Sequence, residues 1–245
     1  MFTYVTPFNR TKESGDEPKL VSLLADCSDS MNAVLGMLAI AISRDFLGAL
    51  YGVNKRDRKV LRVHADAFSY GFNPLWKGFR ALWDGLGENP VKESELYGEG
   101  LGGQTALYQS SMLAFGHLVT ASDLLARQMN TRAKSVLIVL TDGANNLAPE
   151  GTDGTSRVRQ AFTHEQDRVE VRKVLAYFKT EGGLNKRAFG RAAAQCRFDE
   201  VFFFDEHSTD PATLKKEIRR AIKILSDEGL RNQADVVTLE ELLTW

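Results

Sequence analysis

The sequence predicts an α/β domain built on a central, mostly parallel sheet with helices on both faces. Three observations carry that expectation. Apolar runs of strand length at 20–25, 135–140 and 200–204 read as strands buried on two sides. Stretches of helical periodicity alternate with them, which is the pattern of βαβ units. Two of the runs end in acidic loops, at Asp26 and at Asp142, and ligands of such sheets sit beyond the carboxyl ends of the strands.

The first 18 residues are polar, and 13–18 read as an entry loop. Residues 20–25 form the first strand, which stops at Asp26-Cys-Ser-Asp-Ser30. A helical pattern follows from about 31 to 51, with Val34, Met37, Leu38, Ala41, Leu47 and Leu50 on its apolar stripe. Residues 60–68 alternate as a strand near the sheet edge does. The aromatic-rich stretch 72–83 is expected to begin as a short strand and end as a helix. After a polar loop and the glycines of 98–103 comes a second long helix, 106–129. Residues 135–140 are the clearest strand.

Residues 144–168 are polar and Gly-rich at first, then weakly helical. Residues 171–179 read as a strand, because Val, Tyr and Phe suit a pleated surface and Glu181-Gly-Gly183 punctuates them. A helix at 186–196, a strand at 200–204 and a helix at 211–225 complete the pattern, the last with Asp210 as N-cap and Pro211 at its first position. The expected organisation is an extension (1–18), one domain (19–226) carrying an insertion loop at 144–168, and a tail (227–245) with one short helix at 239–243.

Composition narrows the function. A net charge of -1 gives no broad basic face for nucleic acid. The longest apolar stretch, 33–42, is about half of a membrane span. The N-terminus shows no basic and apolar signal pattern, so Asn9-Arg-Thr11 is not expected to be glycosylated. Cys27 and Cys196 lie far apart, with neither a disulfide framework nor zinc spacing. A soluble cytoplasmic protein, binding neither membrane nor nucleic acid, is expected.

In an extended loop alternate residues point to one side, so Asp26, Ser28 and Ser30 are expected to converge while Cys27 and Asp29 face away. Carboxylate and hydroxyl oxygens are hard donors, suited to Mg²⁺ or Mn²⁺ rather than zinc. Gly102-Gly-Gln-Thr105 adds a hydroxyl where a helix opens, and Leu140-Thr-Asp142-Gly143 adds a carboxylate where the central strand closes.

In order and strand placement this three-part set resembles the metal-ion-dependent adhesion site of von Willebrand factor A (VWA) domains, over roughly residues 19–226. The resemblance implies a VWA-like Rossmannoid fold. It implies a metal held directly by Ser28 and Ser30, directly or through water by Thr105, and mostly through waters by Asp26 and Asp142. It also implies a non-enzymatic adaptor whose partner offers an Asp or Glu to the metal. Intracellular VWA proteins often work beside AAA+ ATPases, which makes such a complex the expected setting. Two departures stand out: Asp29 occupies a position that is often Gly, and Gln104 is an extra residue before Thr105.

Other readings use the same residues. Gly98 to Thr105 matches a phosphate-binding loop except that Gln104 replaces its lysine and no apolar strand precedes it. A Mg²⁺-dependent phosphohydrolase using Asp26 as nucleophile would be expected to keep a carboxylate two residues on, where this chain has Ser28. A degenerate scaffold without metal is the third alternative. His64, His117, His164 and His207 show no ligand or triad spacing, and no cation is placed near Cys27 to activate it. Phe72, Trp76, Phe79 and Trp83 read as core and groove packing, and Lys215, Lys216, Arg219 and Arg220 as a solvated stripe. The 144–168 loop leaves the metal-proximal end of a strand and is expected to help select the partner.

Overall fold

The computed structural model describes residues 19–31, 61–68, 72–74, 80–81, 104–130, 133–143, 154–166, 169, 171–178, 185–204 and 236–238. Among them, strands β1 (Lys19–Asp26), β2 (Leu61–Phe68), β5 (Lys134–Thr141), β6 (Val171–Phe178) and β7 (Glu200–Phe204) form a parallel sheet in the order β2-β1-β5-β6-β7. Short antiparallel strands flank it. β3 (Phe72–Pro74) and β4 (Arg80–Ala81) both pair with β2, and β8 (Val236–Thr238) pairs with β7.

Strand order reverses at β1, which has β2 on one side and β5 on the other. Chain connections therefore leave the adjacent carboxyl ends of β1 and β5 in opposite directions, opening the crevice where open α/β sheets bind ligands.

Helices α1 (Leu107–Met129), α2 (Gly154–Gln166) and α3 (Lys186–Cys196) share one core with one face of the sheet. Leu107, Ala114, Leu118, Ala121 and Leu125 are spaced by seven, four, three and four residues, so α1 presents a single stripe to the core that holds Leu20, Leu24, Leu137 and Val139. Burying each leucine of that seam contributes about 1.5–3 kcal/mol. Leu23, Ala25, Ile138, Leu140, Val174 and Ala176 point to the opposite face and are buried too. Burial on both sides is why these strands read as unbroken apolar runs. The helices expected at 31–51, 211–225 and 239–243 lie outside the described residues.

β2 lies near the sheet edge, as expected, with β3 and β4 paired beyond it. Three features differ from the sequence expectation. Residues 80–81 are strand rather than helix, paired with Val63 and Arg62. The second half of the 144–168 segment is a full helix of the fold, since Val158 and Phe162 fall one turn apart and both enter the core. Val236–Thr238, in the expected tail, belongs to the sheet. Among the described residues no helix is long and apolar enough to cross a membrane.

Candidate metal centre

β1 delivers Asp26 to the crevice, and β5 ends one residue before Asp142. Both carboxylates are fully buried. Asp26 is held from two sides: Ser28 N–H donates to its Oδ1 at 2.9 Å and the Thr141 hydroxyl donates to its Oδ2 at 2.6 Å. Thr141 Oγ1 in turn accepts the Gly143 N–H at 3.0 Å. One chain of hydrogen bonds thus joins the ends of β1 and β5, and it orients Asp26 before any ligand arrives.

The loop after Asp26 is not extended. The Ser28 N–H folds back on Asp26, and Asp29–Met31 closes a 3₁₀ turn in which Met31 N–H donates to the Ser28 carbonyl. This turn, rather than strand-like alternation, sets the Ser28 and Ser30 hydroxyls 3.2 Å apart. Asp29 points to solvent, as expected. Among the described residues the only non-glycine residues at positive φ are Asn130 and Arg197. The backbone at Asp29 therefore makes no demand for glycine.

Thr105 immediately precedes the N-cap residue of α1, Ala106, which makes no side-chain cap. The Thr105 hydroxyl is buried and has no hydrogen-bond partner among the described residues, whereas Gln104 beside it is exposed. An orphaned hydroxyl in a protein interior loses the hydration it had in the unfolded chain, at a cost of about 1–3 kcal/mol. That cost is offset when an ion or water completes the site.

Electrostatics point the same way. Burial pushes the Asp26 carboxyl from the usual 3.8 up to about 7. The bonds from Thr141 and Ser28 lower it, and the nearby Asp142 charge raises it further. Among the described residues only neutral donors meet the Asp26 charge, so a cation bound there would relieve the desolvation. Burial, then the Asp26 charge, pushes the Cys27 thiol up to about 12, and its Sγ donates weakly to the Ala25 carbonyl at 3.7 Å. It is a packed thiol and not a nucleophile. Cys27 and Cys196 are both buried and unbridged.

Among the described residues no three His, Cys, Asp or Glu cluster as a metal site. A donor set here is two carboxylates and three hydroxyls, and that composition fits a hard divalent ion. Hydrogen bonds tie Asp26, Ser28 and Ser30 together and link Asp26 through Thr141 to the residue after Asp142. Thr105 is placed by burial and by α1, which packs on β1.

Sequence reasoning missed Thr141, whose hydroxyl bridges the two loops; an inward-facing Thr directly before the acidic residue was the available signal. It also passed over Asp66, buried on β2 beside Leu24, and the unpartnered buried hydroxyls of Ser22, Ser110 and Ser111. A lone carboxylate or serine within an apolar pattern was their only mark.

The fold is α/β and VWA-like. No family model matches the chain, and no curated protein matches it significantly. Solved structures do share its fold. The pilus adhesin SpaC of Lactobacillus rhamnosus GG, in an open conformation, aligns with a TM-score of 0.58 at 13% identity, over 89% of this chain and 31% of that one. The minor pilin PilB of Streptococcus sanguinis aligns with a TM-score of 0.54 at 11% identity, over 89% of this chain and 63% of that one. This chain therefore spans less than two thirds of the PilB chain and under a third of the SpaC chain.

Proposed function

We propose that this chain is a metal-dependent protein-binding module, in which a Mg²⁺ or Mn²⁺ held by Asp26, Ser28, Ser30, Thr105 and Asp142 receives an acidic residue of a partner. The observation that carries this reading is the buried Thr105 hydroxyl, which has no hydrogen-bond partner among the described residues and stands just before α1, the helix that packs on the strand ending at the buried Asp26. When bound, the ion supplies a Lewis-acidic seat for one carboxylate oxygen. The chain's own residues do the rest. The turn at Asp29–Met31 presents two hydroxyls side by side, and Thr141 keeps Asp26 from swinging out. Two carboxylates balance a double positive charge without exceeding it, so a third, from outside, is still attracted. In this reading the module works in the cytoplasm, as an adaptor within a larger, AAA+-linked assembly.

The module acts without catalysis in this reading. Asp26 is fully buried with both oxygens engaged, which disfavours a nucleophilic role. Displayed random peptides selected on the protein in Mg²⁺ test the proposal. The expected winners carry an Asp or Glu, and lose binding in EDTA, on Glu→Gln exchange and against Thr105→Ala. Winners without acidic residues, or binding indifferent to EDTA, would contradict it. Mg²⁺-dependent phosphoester turnover abolished by Asp26→Ala would replace it with the phosphohydrolase reading.

A further inference from the structure

We infer that Phe189, on α3, is a positioning residue for the Asp142 loop, holding the turn that carries this carboxylate by packing its ring directly on Gly143. The inference rests on the metal reading of the site. Gly143 has φ +81°, a left-handed conformation, and a Cβ there would overlap the edge of the Phe189 ring. The ring therefore lies against the Cα of the residue that follows Asp142. From that contact the hydrogen-bond chain runs through the Gly143 N–H to Thr141 and on to Asp26. A single side chain from outside the three metal loops thus braces both carboxylates.

Phe189 is itself held firmly. It is 1% exposed, its centroid lies 4.6 Å from Tyr177 and 5.9 Å from Phe203, and those two rings are 5.8 Å apart. Tyr177 is the strand neighbour of Thr141 and Phe203 the strand neighbour of Tyr177, so the triad continues the row that begins at the site. Helix α3 is pinned at its start, where Asn185 Oδ1 accepts the Ala188 N–H at 2.9 Å. At its end Arg197 and Phe198 N–H donate to Ala194 and Ala193 carbonyls. The ring belongs to the first turn of a capped helix and moves only as α3 moves. A displacement of α3 would reach Asp142 through this contact.

Phe162 provides a matched control. It is an equally buried ring in the same core, tilted against Phe115 and edge-on to Phe198, and belongs to α2. Phe189→Leu and Phe162→Leu are compared by Mn²⁺ binding, followed by electron paramagnetic resonance, and by amide exchange of Gly143 in EDTA. Both variants are expected to lose thermal stability. Only Phe189→Leu should weaken Mn²⁺ binding, by about tenfold, the loss typical of a residue that orients a ligand. Only Phe189→Leu should speed Gly143 exchange beyond the change in global stability. If Phe189→Leu does not fold, Tyr177→Leu, which removes the flanking ring, is read in the same two ways. Equal Gly143 exchange in the two variants would overturn the inference. If the wild type binds no Mn²⁺, the metal reading fails by itself, and exchange in EDTA still decides whether Phe189 holds the turn.

Discussion

The two ends of the sheet bury ionisable groups in opposite ways. At the amino end of β6, Lys173 is 4% exposed, and its Nζ lies 3.0 Å from Asp199 Oδ2 and 3.2 Å from the Val171 carbonyl. The same Asp199 oxygen accepts the Lys173 N–H at 2.6 Å, and the Lys173 ammonium sits 5.8 Å from the centroid of the Phe162 ring. Arg172 and Glu200 pair beside them. At the carboxyl end of β1, Asp26 is as deeply buried, yet among the described residues only neutral hydroxyl and amide donors meet its charge. One end closes its charges within the chain and so serves the fold. At the other, the described residues offer Asp26 no cation and the Thr105 hydroxyl no partner, as the metal site proposed above would require.

Removing one partner at each end separates these roles. The largest effect is expected from Asp199→Ala, which strands the Lys173 ammonium and the Lys173 N–H together. Its expected cost in urea unfolding is about 2–4 kcal/mol, held below the fully buried case because Asp199 is partly exposed. Asp26→Asn should act in the opposite sense in EDTA at pH 8. Relieved of a desolvated charge, the variant should be more stable than the wild type by on the order of 1–3 kcal/mol. A loss of stability comparable to that of Asp199→Ala would erase the contrast.

The pH dependence sharpens it further. The folded Asp26 carboxyl titrates near 7 and the unfolded one near 3.8, so between these values the folded state holds a proton that the unfolded state has lost. Stability in EDTA should therefore fall as pH rises from about 4 to about 7, by an amount similar to the gain of Asp26→Asn, and that variant should show a flatter profile. Saturating Mg²⁺ should reverse the trend above pH 7, since the metal binds the deprotonated form. Urea unfolding at pH 5 and pH 8, with and without Mg²⁺, checks both signs. The smallest effect is expected at Ser22, whose hydroxyl has no partner; Ser22→Ala should lie within about 0.5 kcal/mol of the wild type.

Much of the fold was visible in the sequence, the contrast between the two ends only in part, and the reasons are physical. Apolar strands of the parallel sheet announce themselves because both faces are buried, and the helix expected at 186–196 forms over those residues. The places of Asp26, Ser28, Ser30, Thr105 and Asp142, after strands or at the opening of a helix, were legible too. β8 was not: Val236–Thr238 is three residues among polar neighbours, and only pairing with β7 makes it a strand. The turn at Asp29–Met31 was misjudged as extended, because the Asp26 side chain competes for the loop amides. The buried Lys173 and the Phe189 ring on Gly143 are tertiary contacts between distant segments, for which periodicity carries no signal.

The most direct test is thermal unfolding against Mg²⁺ and Mn²⁺ concentration for the wild type, Asp142→Ala and Asp199→Ala. At a hundred times the dissociation constant, metal should add about 2.7 kcal/mol. For a domain of this size that is a rise in Tm of roughly 5–10 °C. A saturable rise of that size in the wild type and in the destabilised Asp199→Ala, absent from Asp142→Ala, is the predicted result. No rise in the wild type, or an equal rise in Asp142→Ala, would contradict the assignment of a metal to the carboxyl end of the sheet.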